Sequence, residues 1–111
     1  MKKPIPTTIH LKAVRYPGRF IPTKVWLNNK SLWPAKSKKL RNLSAHGFGW
    51  GSDETGAAQL ALAICIELYP RVVALEIYDS FKKEFILPIR EDGFIMEIDL
   101  KEFQESWAGT L

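Results

Sequence analysis

The segment from Ala57 to Leu68 constrains the fold of this chain more than any other feature. Its residues are apolar apart from Gln59 and Glu67. At helical spacing these apolar residues cover all sides of the helix, and a helix of that kind has to be buried. The chain has 111 residues, of which 46% are hydrophobic, and can enclose such a helix in one core. We therefore expect a single domain, residues 1–111, built around a central helix.

The region before this helix has the pattern of β-strands. Residues 8–16 alternate apolar and polar side chains, as a half-buried strand does. Residues 23–28 predict a second strand, and Asn28-Asn29-Lys30 predicts a tight turn into a third at residues 31–33. The expected product is an antiparallel β-meander. Pro34 then stops regular strand pairing, and residues 35–46 are predicted to form a basic loop.

Two consecutive helices are predicted after the loop. Ser52-Asp53-Glu54-Thr55 supplies side chains suited to a helix N-cap and first turn, so the central helix should cover residues 55–69. Pro70 can occupy the first position of a further helix. Apolar residues recur every four positions over residues 71–84, which favours a second, amphipathic helix, although local alternation also permits a strand.

The C-terminal region is predicted to hold a short hairpin and a final helix. Glu91-Asp92-Gly93 is a turn signal between predicted strands at residues 85–89 and 94–98. Asp99 and Glu102 have the spacing of a capping box, which predicts a helix ending near Trp107. The predicted fold class is α+β, with an N-terminal meander packed on the two central helices, followed by the hairpin and the last helix.

Charge is distributed very unevenly along the chain. Residues 1–52 contain 11 of the 16 Lys and Arg residues and no Asp or Glu, whereas all 12 acidic residues lie in residues 53–111. The basic strand half thus carries a formal charge of about +11 and the acidic helical half about −7, by simple counting at neutral pH. Such asymmetry indicates an acidic or polyanionic partner for the basic half.

Composition also limits the class of protein. Cys65 is the only cysteine, so neither an internal disulfide nor a cysteine-rich zinc site is expected. The N-terminus has no apolar region of a signal peptide before Thr7-Thr8, and the run from Leu60 to Ile66 is far shorter than the roughly 20 residues that span a bilayer. We therefore expect a soluble, cytoplasmic protein without a membrane partner.

A glycine-rich motif carries a resemblance to a known family. Gly47-Phe48-Gly49-Trp50-Gly51, continued by Thr55-Gly56-Ala57-Ala58-Gln59-Leu60-Ala61-Leu62-Ala63-Ile64, resembles the signature of the domain of unknown function 6166 family. The family pattern reads approximately G-F-x-W-G-x-G-G-S-G-P-A-Q-L-A-L-A-I, and Asp53, Glu54, Thr55 and Ala57 depart from it here. The resemblance implies an origin on phages, plasmids or other mobile elements. It implies no established activity.

The motif does not have the composition of a catalytic or cofactor site. Gly51 and Gly56 have the glycine spacing of a P-loop, but alanines stand where its Lys and Ser/Thr must be. Cys65 lies within an apolar helix, where burial opposes thiolate formation, and neither His10 nor His46 has a metal-ligand partner at a recognisable spacing. We expect no catalytic, metal-binding or cofactor-binding residues. The predicted role of the signature is packing, with Gly47, Phe48, Trp50, Gly51, Gly56 and Gln59.

The basic half is the strongest functional signal. Its cations are interleaved with aromatic residues, a mixture that suits phosphates and unpaired bases. The predicted function is a small non-catalytic binding protein that engages an acidic protein or nucleoprotein, such as a component of a host defence system that it inhibits. Direct, sequence-independent nucleic-acid binding is the alternative, and a small enzyme or ligand-binding domain near His46 and Trp50 is the second. The predicted binding residues are Lys12, Arg15, Arg19, Lys24, Lys30, Trp33, Lys36, Lys38, Lys39 and Arg41.

Overall fold

The structure, a computed structural model, describes residues 6–15 and 23–108. Three strands come first, then three helices, a fourth strand and a last helix. A short π-helical segment, Lys82–Ile86, extends the third helix. The elements are β1 (Thr8–Val14), β2 (Lys24–Leu27), β3 (Lys30–Leu32), α1 (Pro34–Leu40), α2 (Glu54–Leu68), α3 (Arg71–Phe81), β4 (Gly93–Asp99) and α4 (Lys101–Ala108).

The four strands form one antiparallel sheet in the order β3-β2-β1-β4. The first three strands are the predicted meander. Asn28 and Asn29 form the two-residue turn between β2 and β3 with φ angles of 51° and 68°, and asparagine is among the residues that tolerate this left-handed region. Asn28 Oδ1 also accepts a hydrogen bond of 2.8 Å from the backbone N–H of His10, which fastens the turn to β1. The α+β fold class is confirmed.

The predicted C-terminal hairpin is wrong in one of its strands. Residues 85–89 do not pair, because α3 continues as the π-helical segment and Phe85 packs against Phe81 and Phe103 at centroid distances of 4.9 and 5.5 Å. Strand β4 instead pairs along its whole length with β1, Thr8 lying opposite Asp99. The nearest apolar segment in sequence is therefore not the partner of this strand.

The predicted basic loop at residues 35–46 is also corrected, since its first part is helix α1. Pro34 begins this helix, where its missing N–H costs nothing. Ser37 is completely buried, and its hydroxyl donates to the carbonyl oxygen of Pro34 at 2.9 Å. Residues 41–50 follow without regular structure, apart from a turn at Ala45 and His46.

Helix α2 is the buried central helix that its sequence predicts. Nine of its 15 residues are buried, and Leu60 and Ile64 share one hydrophobic cluster with Ile9 and Leu11 of β1. Asp53 is the N-cap, and its carboxylate accepts the backbone N–H of Gly56 at 3.0 Å. The helices thus cover the inner face of the sheet. Across the described ranges no helix is long and apolar enough to cross a membrane.

Candidate binding surface

The face of the sheet that points away from the helices is exposed. Along β1 the buried residues Ile9, Leu11 and Ala13 alternate with residues that face outward. The strand register places Lys12 between Trp26 of β2 and Ile95 of β4. Opposed residues in a sheet share a face, so these three side chains form one row across the outer face.

A second row lies beside the first. Lys24 is opposite Val14, and Trp33 lies near Lys24, where the two residues line a small cleft of about 90 Å³ together with Trp26 and Ser31. The side chain of Trp33 is 55% exposed, which is unusual for so large an apolar residue. We define the outer face patch as Lys12, Lys24, Trp26, Trp33 and Ile95. It combines two ammonium groups with two indoles on one open sheet.

Charge changes sign along the outer face. Lys12 Nζ lies 5.1 Å from the centroid of the Trp26 ring, so the cation rests on an aromatic surface. Farther along the sheet, Glu97 lies opposite His10, with 3.8 Å between the His10 Nδ1 and Glu97 Oε2 atoms, and Asp99 lies opposite Thr8. The basic and aromatic end is thus separate from an acidic end on β4.

Arg15, another predicted binding residue, is held in internal contacts. Its guanidinium group lies 4.4 Å from the centroid of the Trp50 ring and 3.5 Å from the Asp92 carboxylate, and its backbone N–H donates to the Asp92 carbonyl oxygen at 3.0 Å. It joins the end of β1 to the segment before β4.

Lys30 is exposed at the opposite edge, in register with the inward-facing Leu27. Arg19 lies outside the described residues.

The remaining predicted cations form a second group on and just after α1. Lys36 Nζ lies 3.2 Å from Glu67 Oε1 of α2, and Arg41 donates to the Tyr78 hydroxyl at 3.2 Å. Lys38 is half-buried and Lys39 is exposed. Because α1 packs on α2, this group belongs to the helical layer. The structure therefore brings Lys12, Lys24 and Trp33 together and places the α1 cations elsewhere.

Within the signature, Gln59 holds the segment between α1 and α2. It is completely buried, and its Oε1 accepts the backbone N–H groups of Leu43 and Ser44 at 2.7 and 3.2 Å. Its Nε2 donates to the Ser37 hydroxyl at 2.8 Å and the Arg41 carbonyl oxygen at 3.1 Å. This amide satisfies four groups that would otherwise have to find partners within the protein.

The glycines of the signature allow the backbone to approach closely. Gly51 has a φ of +64°, and a Cβ there would lie 2.7 Å from the Ile89 carbonyl oxygen. A Cβ on Gly56 would lie 2.7 Å from the backbone nitrogen of Gly49. The Asp53 side chain fills the space beside Gly49 and Gly56. The geometry therefore gives these glycines and Asp53 a packing role at the start of α2.

Of the two aromatic residues of the signature, Trp50 connects the start of α2 to the C-terminal region. Trp50 is 2% exposed, its indole N–H donates to the Glu91 carbonyl oxygen at 2.7 Å, and its ring meets Phe94 edge-on at 5.1 Å. Phe48 is also buried in the core. Trp50 thus fastens the segment before β4 to the start of α2.

His46 and Cys65, two groups that could support chemistry, are not among the described residues that line the cleft beside Trp50. The cleft beside Trp50 has a volume of about 110 Å³, and Arg15, Ser52, Arg90 and Glu91 contribute to its lining. His46 is exposed in a turn. Burial raises the pKa of the Cys65 thiol, which keeps it protonated. Among residues 6–15 and 23–108, no three His, Cys, Asp or Glu side chains form a metal-binding group.

Comparison with known proteins places this motif in a family. A model described as a family of unknown function, DUF6166, matches residues 16–108. The chain belongs to the DUF6166 family. The match covers β2 to α4 and so includes the glycine-rich signature and most of the core. No curated protein and no solved structure matches the chain.

Two members of the outer face patch were missing from the predicted binding residues of this DUF6166 protein. Trp26 could have been found from the alternation Lys24-Val25-Trp26-Leu27, because residues two apart share a face and Val25 and Leu27 are the buried pair. Ile95 is 79% exposed. It could be placed beside Lys12 only when β4 was known to pair with β1, and that pairing joins distant parts of the chain.

Proposed function

We propose that this protein is a small non-catalytic binding protein whose outer face patch engages an acidic partner, either a protein or a nucleoprotein. The observation that supports this best is the convergence of Lys12, Lys24 and Trp33 on one open face of the sheet. The helices bury the other face, so the outer face is the side of the sheet from which a partner can approach.

The electrostatics of the patch favour an acidic partner. Within the described chain, no carboxylate lies within 4.0 Å of the Lys12 or Lys24 ammonium group. In contrast, Lys36 and Arg15 already contact acidic residues of the protein itself. Cations that form no ion pair with the described residues, beside an exposed indole, supply the steering charge and the aromatic anchor that protein interfaces commonly use.

Direct binding of single-stranded nucleic acid is the second candidate. Trp26 and Trp33 line one cleft together with Lys24. Lys12 lies opposite Trp26 in the sheet, and its Nζ is 5.1 Å from the centroid of the Trp26 ring. Stacking of bases on aromatic rings beside phosphate-binding lysines is a sequence-tolerant mode of recognition. Origin on a mobile element and inhibition of a host defence system belong to the proposal as well, and the family resemblance alone supports them.

Capture from a cell lysate, with and without nuclease, distinguishes the two partner classes. An acidic protein should remain bound after nuclease treatment, whereas a nucleic-acid partner should be lost. Affinity for nucleic acid should also fall steeply as salt is raised, because binding releases condensed counterions. The proposed function would be refuted if capture were unchanged by nuclease, by raised salt and by substitutions in the outer face patch.

A matched pair of variants tests the aromatic anchor. Trp33→Ala should reduce capture at least about tenfold, as the loss of an interface tryptophan commonly does. Its cost to folding should be small, because the indole is largely exposed. Val72→Ala is the control, since Val72 is 75% exposed but lies on α3 in the helical layer. Equal effects of the two substitutions would contradict an anchor at Trp33.

A further inference from the structure

Strand β4 ends the sheet with a long edge that has no strand partner in the described chain. The Arg15 N–H donates to the Asp92 carbonyl oxygen at 3.0 Å, and the Leu100 N–H donates to the Thr7 carbonyl oxygen at 2.7 Å. Hydrogen-bonded pairs alternate along an antiparallel ladder. The backbone groups of Phe94, Met96 and Ile98 therefore point to β1. Those of Ile95 and Glu97 point to the open edge.

An apolar groove runs along this open edge. It has a volume of about 500 Å³, and its apolar lining comes from the residues before β4 and from the strand itself: Phe85, Pro88, Ile89, Phe94, Ile95 and Met96. Phe94 and Met96 are in register with Ala13 and Leu11, so they belong to the inner face of the sheet. The groove thus lies where the inward side chains of a fifth strand would be placed.

The other edge of the sheet does not offer the same site. Strand β3 has only three residues and is followed by Pro34, two features that protect an edge from further pairing. Strand β4 has seven residues, and the segment Gly93–Met96 carries no charge that would oppose a neighbouring strand. An edge of this length beside an apolar groove is the arrangement that accepts an added strand.

The charges around the groove determine which strand fits. The two charged residues of its lining are Glu84 and Glu91, and Glu97 and Asp99 follow on β4. A second copy of β4 would bring these carboxylates against one another. A basic segment would instead place its cations beside them. Complementary charge therefore favours a basic peptide over self-association.

We propose that the β4 edge binds an extended basic peptide segment of a partner protein, which adds to the sheet as a fifth strand. The backbone groups of Ile95 and Glu97 form the new ladder. Alternate apolar side chains of the peptide enter the groove, and its flanking Lys or Arg residues lie beside Glu84 and Glu91. This site shares Ile95 with the outer face patch but uses its backbone groups, whereas the patch uses its side chain, and the test of the site is independent of the proposed function.

Amide hydrogen exchange with a defined peptide tests the site. The probe is a synthetic peptide of alternating valine and threonine with two lysines at each end, added at millimolar concentration to the whole protein. Exchange at the Ile95 and Glu97 amides should slow at least about tenfold. The Phe94 and Met96 amides, which already donate to β1, should change much less. Unchanged exchange at Ile95 and Glu97 would overturn the proposal.

Charge reversal provides the matched control. The double substitution Glu84→Lys and Glu91→Lys should weaken binding of the lysine-flanked peptide about tenfold and strengthen binding of a glutamate-flanked peptide. Both residues are exposed, so the fold should tolerate the change. Equal affinity of the wild-type protein for the two peptides would contradict the basic occupant. A peptide-free dimer in which the Ile95 and Glu97 amides are already protected would assign the edge to a second copy instead.

Discussion

Gln59 is the residue that most directly connects the family signature to local structure. Its amide is completely buried and bonds to groups of α1 and of the segment that follows it. Replacing it by an apolar side chain would leave the Leu43 and Ser44 N–H groups without their acceptor. An unsatisfied buried polar group costs about 1–3 kcal/mol. The position thus requires a side chain that both donates and accepts.

We predict that Gln59→Leu lowers the free energy of unfolding by about 3 kcal/mol, because several buried groups lose their partner together. Urea denaturation of wild type and variant measures this difference. Gln104→Leu is the control, since Gln104 is half-buried and donates to the Pro6 carbonyl oxygen and the Tyr69 hydroxyl. Its cost should be about 1 kcal/mol. Equal losses in the two variants would contradict a special role for Gln59.

Cys65 makes stability depend on pH in the alkaline range. The folded protein keeps the thiol protonated because burial raises its pKa above the ordinary value of 9.0, whereas the unfolded chain releases the proton. Proton release therefore favours the unfolded state as the pH rises beyond 9.0. The stabilising effect is complete below that pH. Burial also raises the pKa of Tyr69 to about 12 from its ordinary 10.0, so its effect begins one pH unit higher.

We predict that the free energy of unfolding falls by about 1 kcal/mol more between pH 9 and pH 10 in the wild type than in Cys65→Ala. Denaturant titrations at the two pH values, under reducing conditions, provide the comparison. Other groups that titrate in this range are common to both proteins and cancel in the difference. Identical pH dependence in the two proteins would show that Cys65 does not carry this effect.

At the scale of elements, the turn between β2 and β3 offers a direct test of how the sheet is specified. Asn29 has a φ of 68°, and Asn-Gly is the preferred pair for a two-residue turn of this hand. We predict that Asn29→Gly raises the free energy of unfolding by about 0.5 kcal/mol. Thermal unfolding measures the change.

The neighbouring position provides the control for this turn. Asn28 also has a positive φ, but its Oδ1 accepts the His10 N–H at 2.8 Å. Asn28→Gly should therefore be neutral or destabilising, because the relief of backbone strain is offset by the lost hydrogen bond. If both glycine substitutions stabilised the protein equally, the contact to His10 would contribute nothing.

The elements that the sequence predicts well are those whose pattern is local. Alternation gives β1, the Asn28-Asn29 turn gives the meander, and continuous apolarity gives the burial of α2. The sequence does not predict helix α1, because the segment is rich in lysine and its buried residue is a serine, Ser37, so it shows no apolar periodicity. The partner of β4 was not predicted because β1 lies some 85 residues away in the chain, and no local pattern encodes that pairing.

At the scale of the whole molecule, the division of charge along the sequence becomes a division between surfaces. The basic first half supplies both the lysines and tryptophans of the outer face patch and the cations of α1, which lie in different layers. Sequence alone could not separate these groups, since Trp33 and Lys36 are only three residues apart. The acidic second half supplies the carboxylates along β4. One small domain thus offers a basic face and an acidic edge.

The measurement that tests the central claim most directly compares two double charge reversals. Lys12→Glu with Lys24→Glu changes the outer face patch, and Lys36→Glu with Lys39→Glu changes α1 by the same net charge. Capture of the acidic partner from lysate should fall at least about tenfold for the first pair. The second pair should retain most of it. Loss of capture in the α1 pair, with the patch pair unaffected, would contradict the assignment of binding to the outer face of the sheet.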